Sequence, residues 1–208
     1  MPADQPIDGP SLGLPRARPA ERADAARNRR LVLDAAQRIV RARGVAALSM
    51  EEVAQAAGVG VGTVYRRFGD RAGLAYALLD TRERELQEAF LRGEPPLGPG
   101  APPAARITAF LHALVDRAEE QSALLLMAET NTPHARYLSG AYRVHRQHVA
   151  GLLQRARPGS DAHYLADALL APLATSLVSY QREVDEMAPE RIKAGMDELV
   201  RGLTGSGS

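Results

Sequence analysis

Within nine residues this chain sets out Thr63, Tyr65, Arg66, Arg67 and Arg71, a dense run of hydroxyl and guanidinium donors. Donors of this kind suit phosphate oxygens and the edges of bases. Arg66 is the candidate for reading a base, because a guanidinium pairs with guanine through two parallel hydrogen bonds; a phosphate contact is the other reading of the same residue. Gly62 and Thr63 fall at the start of the same segment, where side chains reach base edges and a missing Cβ permits close approach. Tyr65 also has a plainer reading, as a surface aromatic partly packed on its neighbours.

The flanking residues are those needed to hold such a segment rigid. Ser49 and Glu52 have the S-x-x-E spacing of a capping box, so a helix is expected to start near Met50. Met50, Val53, Ala54 and Ala57 recur at helical spacing and give it one apolar stripe. Gly58 follows, where a helix end needs positive φ, and Val59 can pack beneath the turn. Val64 and Phe68, four apart, give a second helix its buried side and turn the donors outward. Two short helices about a tight turn, the second displaying donors, have the build of a helix-turn-helix that enters a major groove. Ser49 leaves a helix N-terminus available to a phosphate. Arg29 and Arg30, with the arginine-bearing segment before them, are placed to reach a flanking phosphate or minor groove.

Residues 22–44, RADAARNRRLVLDAAQRIVRARG, and 48–79, LSMEEVAQAAGVGVGTVYRRFGDRAGLAYALL, together resemble the N-terminal domain of TetR-family transcriptional regulators. The similarity is dense over residues 22–80 and rests on GVxxGTVYRRFxxRxxL; beyond residue 80 it is one of architecture. It implies that Tyr65 gives its hydroxyl to a phosphate, that Arg67 contacts the backbone, and that Arg71 grips a phosphate at the start of the next helix. Gly60 and Val61 depart from the family, which often has Ser followed by Lys or Arg there, so one polar cap or phosphate contact is expected to be missing. Val40 replaces an aromatic.

The formal net charge of +1 hides an uneven distribution. Residues 16–71 hold 12 arginines against 6 acids, and the rest of the chain 14 basic against 19 acidic residues. A basic head on a mildly acidic body suits a DNA-binding module joined to a domain that does not bind DNA. The absence of cysteine removes disulfides and thiolate metal sites. The sequence has no run of about 18 apolar residues and no signal-peptide core, so the expectation is a cytoplasmic protein without a membrane partner.

No segment alternates like a strand, and the fold class expected is all-α: an N-terminal three-helix head and a larger helical effector-binding and dimerisation domain. The expected divisions are an unstructured arm over 1–23, the head over 24–80, and the body over 81–208 with a Pro/Gly linker at 93–103. The terminal GSGS is expected to be flexible. A first helix capped by Asp24 or a neighbour runs to Arg43. A fourth, capped by Asp70 and reaching Arg92, is about 33 Å long and links head to body. Helices are then expected over 104–120, 122–130 and 134–157, from Asp161 to Met187 with a break at Pro172, and from Pro189 onward.

In the body an apolar set with a few polar handles has the make-up of a ligand pocket. Phe110, Leu111, Leu114, Leu125, Met127 and Leu169 supply its apolar walls. Tyr137, Tyr142 and Tyr164 add aromatic walls, and Asn131, His145 and Ser176 add polar handles for a small apolar or amphipathic effector. Ordinary core packing is the plainer reading of each. The last two helices carry wide apolar faces, Leu173, Leu177 and Tyr180 on one and Ile192, Met196, Leu199, Val200 and Leu203 on the other. These suit a four-helix bundle across a two-fold axis. The resulting homodimer would hold its two readers about 34–36 Å apart and bind a quasi-palindromic double-stranded DNA operator. The expected function is that of a repressor released by the effector; a regulator without an effector is the nearest alternative. His112, His145 and His148 with Glu129 or Asp167 form no nucleophile–base or metal spacing, so neither enzyme, cofactor nor metal is expected.

Overall fold

In the computed structural model, which describes residues 19–205, the chain forms ten α-helices and no strand among the described residues. The head comprises α1 (Pro19–Arg43), α2 (Met50–Ala57) and α3 (Val61–Phe68), and α4 (Arg71–Arg92) leads out of it. The body adds α5 (Pro103–Thr130), α6 (Ala135–Leu138), α7 (Gly140–Ala156), α8 (Ala162–Leu170), α9 (Thr175–Glu183) and α10 (Pro189–Thr204). No described helix is long and apolar enough to cross a membrane.

The first helix starts earlier than its charge pattern suggests. It begins at Pro19, so residues 19–23 of the expected arm are helical and Asp24 lies inside the helix rather than capping it. A proline at the first helical position and the strong helix formers of PAERADAAR account for this. The remainder of the arm and the last three residues of GSGS lie outside the described residues.

Two cores meet along α4. Val32, Ala36, Leu48, Met50, Val53, Val64 and Leu74 close the head. Leu79, Phe90, Ile107, Phe110, Leu111, Leu152 and Leu170 belong to the body. Leu74 and Leu79 thus carry one helix from the first core into the second, and Met127 of α5 packs against both. The 93–102 connection is tied to the fold through Arg106, which donates to the Leu97 carbonyl at 3.5 Å and to the Phe90 carbonyl at 2.8 Å.

Three body segments break, at Gln121 and around Pro172, where breaks are expected, and at Ser139, where the expected helix is continuous. Residues 103–130 are two helical segments joined at a kink, since Gln121, at the gap expected between 104–120 and 122–130, has non-helical φ −132° and ψ 19°. Ser139 interrupts the expected 134–157 helix, its side chain accepting from the Tyr142 amide at 3.1 Å and so capping α7. Around Pro172 a single 3-10 turn, Ala171–Leu173, separates α8 from α9.

His148 lies between Phe90 and Phe110, 4.2 Å from the first ring centroid and 5.0 Å from the second. Burial, aided by the charges of Arg106, His145 and Arg155, pushes its pKa from 6.5 down to about 4. Below pH 6.5 the unfolded chain binds a proton there that the folded chain refuses, so stability falls as pH drops toward about 4. Urea unfolding between pH 7 and pH 5 is expected to show this loss, at roughly 1 kcal/mol or less per pH unit. His148→Gln is expected to flatten the slope in that window; an unchanged slope would contradict the assignment.

Candidate nucleic-acid interface and body cavity

The head presents α3 along one side because only one of its residues, Val64, is fully buried. Phe68 is half-buried beside it, with the Arg29 guanidinium 5.8 Å above its ring. Gly62, Tyr65, Arg66 and Arg67 are exposed and Thr63 is half-buried. The turn that aims the helix is built as its residues require. Ser49 Oγ accepts from the Glu52 amide at 3.1 Å, and Gly58 closes α2 at φ 67° and ψ 32°. The other half of the capping box does not form, because the Glu52 carboxylate pairs with Arg43 instead. Gly60 precedes α3 with no side-chain cap, which matches its departure from the family pattern.

The donors differ in how far they are free. Arg66 makes no hydrogen bond or ion pair among the described residues, and so stands ready for an external acceptor. The Tyr65 hydroxyl donates to Glu51 at 2.9 Å, and this raises the pKa of the phenol. That pair is solvent-exposed, so exchanging the carboxylate for a phosphate oxygen costs little. Arg67 donates to the Ala25 carbonyl at 2.6 Å, and Arg71 to the Val45 and Ala46 carbonyls at 3.0 Å. These two brace the head while staying exposed. Arg29 is turned inward over Phe68 and toward Asp80, 3.7 Å away, so it stabilises the head rather than extending its basic edge. At Ser49 the first turn of α2 carries Glu51 and Glu52, which makes that N-terminus a poor phosphate site. Glu51 is the residue that the sequence reading missed; it lies 14 positions from Tyr65, and only the fold joins them.

In the body a cavity of about 570 Å³ opens between α4, α5 and α7. Of the residues expected in a pocket, Leu114, Leu125, Tyr142 and His145 line it. Phe110, Leu111 and Leu169 are instead solid core. Met127 lies at the junction of the two cores, while Tyr137, Tyr164 and Ser176 are exposed. Asn131 points back at the head, donating to Asp70 Oδ2 at 3.0 Å. Sequence reasoning missed the charged lining: Asp80, Glu83, Arg117, Glu129 and Arg136. Glu83 accepts from Arg117 at 2.6 Å, His145 at 2.9 Å and Gln87 at 2.8 Å. Burial works to raise the Glu83 pKa, but His145, Arg117 and Gln87 outweigh it and hold the group below the ordinary carboxylate value. Glu83 falls on the Ala75–Leu79–Phe90 stripe of α4, and that spacing was the available sign of its burial.

The histidines and acids weighed above for catalysis are held apart. His112 pairs with Asp197 at 2.7 Å, Glu129 with Arg136 at 2.8 Å, and Asp167 accepts from Tyr142 and Arg146. His145 and His148 do not converge, since one meets Glu83 and the other stacks on Phe90.

Residues 32–78 match the profile of the bacterial regulatory proteins of the tetR family. The chain carries the DNA-binding domain of the TetR family. The regulator AcrR of Shigella flexneri is 31% identical over 104 residues, 50% of this chain and 48% of that protein. An HTH-type regulator of Staphylococcus aureus is 36% identical over 58 residues, 28% of this chain and 31% of that protein. The chain thus spans about half or less of the length of these curated relatives. Among solved structures, NalD, the secondary repressor of the MexAB-OprM multidrug efflux pump in Pseudomonas aeruginosa, has a TM-score of 0.57 at 20% identity, covering 89% of this chain and 100% of that one. FadR of Bacillus subtilis, solved with stearoyl-CoA, also has a TM-score of 0.57, at 12% identity, covering 86% of this chain and 99% of that one. At these identities the likeness is one of fold: an N-terminal helix-turn-helix and a helical C-terminal domain.

The packing of the body also corrects the expected dimer face. Leu173, Ile192, Met196 and Val200 are buried in their own chain, and Leu203 packs against the same core. The reason is the inward side of α10, which repeats every four residues and lies on α5. Leu177, Tyr180 and Leu199 remain outward, 39%, 49% and 44% exposed, and Val184 joins them.

Gly62 offers a direct check on the α3 face. A Cβ built there meets nothing within 4 Å, so the free protein has no use for this glycine. Gly62→Ala is expected to keep or raise stability, by about 0.5–1 kcal/mol, while weakening duplex binding. Thermal unfolding and fluorescence anisotropy check the two halves; undiminished duplex affinity would show that no backbone approach occurs there.

Proposed function

We propose that this chain is a dimeric transcriptional repressor that works in the cytoplasm and is released from a quasi-palindromic operator by a small molecule in the body cavity. The observation that carries the DNA-binding part is the α3 face: Arg66 unpaired among the described residues, Tyr65 and Arg67 exposed, and Gly62 open, on a helix turned outward by Val64. Thr63 and Arg66 are assigned to bases, and Tyr65, Arg67 and Arg71 to phosphates. A second copy docking on Leu177, Tyr180, Val184 and Leu199 would remove the main exposed apolar patch of α9 and α10 from water. The repressor role named for NalD and the acyl-CoA held by FadR support the reading by likeness.

The route from cavity to DNA runs through α4. This helix supplies Tyr76, Leu79, Asp80, Glu83 and Gln87 to the cavity wall. Its N-cap, Asp70, accepts from the Gly73 amide at 2.8 Å and from Asn131, two residues beyond the cavity-lining Glu129. An occupant that shifts the end of α5 therefore pulls on the cap next to the recognition helix. Release requires a ligand that prefers the shifted state, by about 5.5 kcal/mol to turn a 1:99 population into 99:1.

Two measurements test the proposal. Arg66→Ala is expected to lose about 1–3 kcal/mol of discrimination at one base pair of the operator, while binding to random duplex changes less. Anisotropy titrations over single-base operator variants read this, and an equal loss on all duplexes would reassign Arg66 to a phosphate. The double variant Leu177→Arg/Leu199→Arg changes exposed positions only, so helicity should persist while light scattering reports a monomer in place of a dimer. A wild-type monomer at micromolar concentration would overturn the dimer.

A further inference from the structure

The head holds nine arginines between Asp24 and Arg71, and they divide by what they touch. Arg29, Arg43, Arg67 and Arg71 are engaged with carbonyls of the head or with carboxylates of α2 and α4. The other five, Arg27, Arg30, Arg38, Arg41 and Arg66, are exposed and make no hydrogen bond or ion pair among the described residues. Four of those five share one helix. Positions 27, 30, 34, 38 and 41 follow one another at intervals of three or four, so they fall on a single face of α1. The opposite face carries Val32, Ala35, Ala36 and Ile39, all buried in the head core. Asp34 is the one acid within the arginine stripe, and it too has no ion pair among the described residues. From Arg27 to Arg41 the stripe is about 21 Å long.

Like charges three or four apart on a helix repel, so the stripe weakens the helix that bears it unless something neutralises it. A small anion meets only one end of a stripe this long, whereas a polyanion meets all of it. The place where the stripe begins favours duplex DNA. Arg67 of the recognition helix donates to the Ala25 carbonyl at 2.6 Å, two residues before Arg27, and Arg29 lies over Phe68 of α3. The arginines therefore start at the edge of the α3 face and continue along α1 for about four turns. We propose that this face of α1 is a second DNA contact, which holds the phosphate backbone of the duplex flanking the half-site without reading its sequence. This rests on the reading of α3 as the DNA reader and lengthens the footprint beyond it.

The test uses the repeat enriched from a random pool of duplexes, once trimmed to the repeat and once extended at each end by about one helical turn. Anisotropy titrations of the full chain over a salt series read the affinity and its salt dependence. Arg38→Gln/Arg41→Gln changes the end of the stripe far from α3. On the extended duplex it is expected to weaken binding about tenfold and to make the slope of log K against log salt shallower by about two for each head bound. On the trimmed duplex it is expected to bind as the wild type does. Arg84→Gln/Arg92→Gln removes the same charge from exposed positions of α4 and is expected to alter neither. If the first variant fails to fold, Arg27→Gln/Arg30→Gln reads the near end of the stripe. An unchanged slope on the extended duplex, an equal loss on both duplexes, or an equal loss from the α4 variant would each overturn the inference. Its failure is separable from that of the α3 reading. Trimmed-duplex binding that ignores Arg66→Ala contradicts the α3 reading, trimmed-duplex binding that needs Arg66 and gains nothing from the flanks contradicts only this inference, and a pool that enriches nothing contradicts both.

Discussion

One buried side chain, Val64, decides which way the recognition helix faces. A helix of eight residues does not hold its shape alone in water, so α3 exists because its inner side is locked into the head core. Val64 sits there with Val53, Leu48 and Leu74, and Phe68 closes the far end beneath Arg29. Once that side is fixed, the helical period sends Gly62, Tyr65, Arg66 and Arg67 outward with no further choice. The arginines around it then divide the work. Arg67, Arg71 and Arg29 tie α3 and α4 to α1 and to the turn after it, and among the described residues Arg66 is left uncommitted.

The second constraint is that α4 belongs to two cores. Leu74 completes the head, Leu79 and Phe90 build the body, and the span between them walls the cavity. A helix shared in this way cannot tilt at one end without disturbing the other, because close-packed cores shift between discrete arrangements rather than deform smoothly. Asn131 adds a polar clasp at the helix start, and the Tyr76 hydroxyl donates to the Ala135 carbonyl at 3.3 Å farther along. The cavity therefore lies against the element that positions the reader.

The head was legible in the sequence because its determinants are local. Ser49, Gly58 and Asp70 act on backbone within three or four residues, and the structure shows each at the helix end where its chemistry places it. The body was legible in its helical class but less so in its details. The break at Ser139 is a side-chain cap inside an apolar-looking run, and the start of α1 at Pro19 was masked by the polar composition around it. Apolar stripes on α10 do not say which partner covers them, so Ile192, Met196 and Val200 read as a dimer face until α5 was seen beneath them. Charged residues read as solvated surface; Glu83 and Arg117 show the error, since each finds its countercharge only across two helices.

Selection of bound duplexes from a random pool tests the account most directly. It predicts an enriched inverted repeat whose half-sites lie about one helical turn apart, with guanine favoured where Arg66 reaches the groove. A pool that shows no enrichment, or a motif without two-fold symmetry, would contradict it.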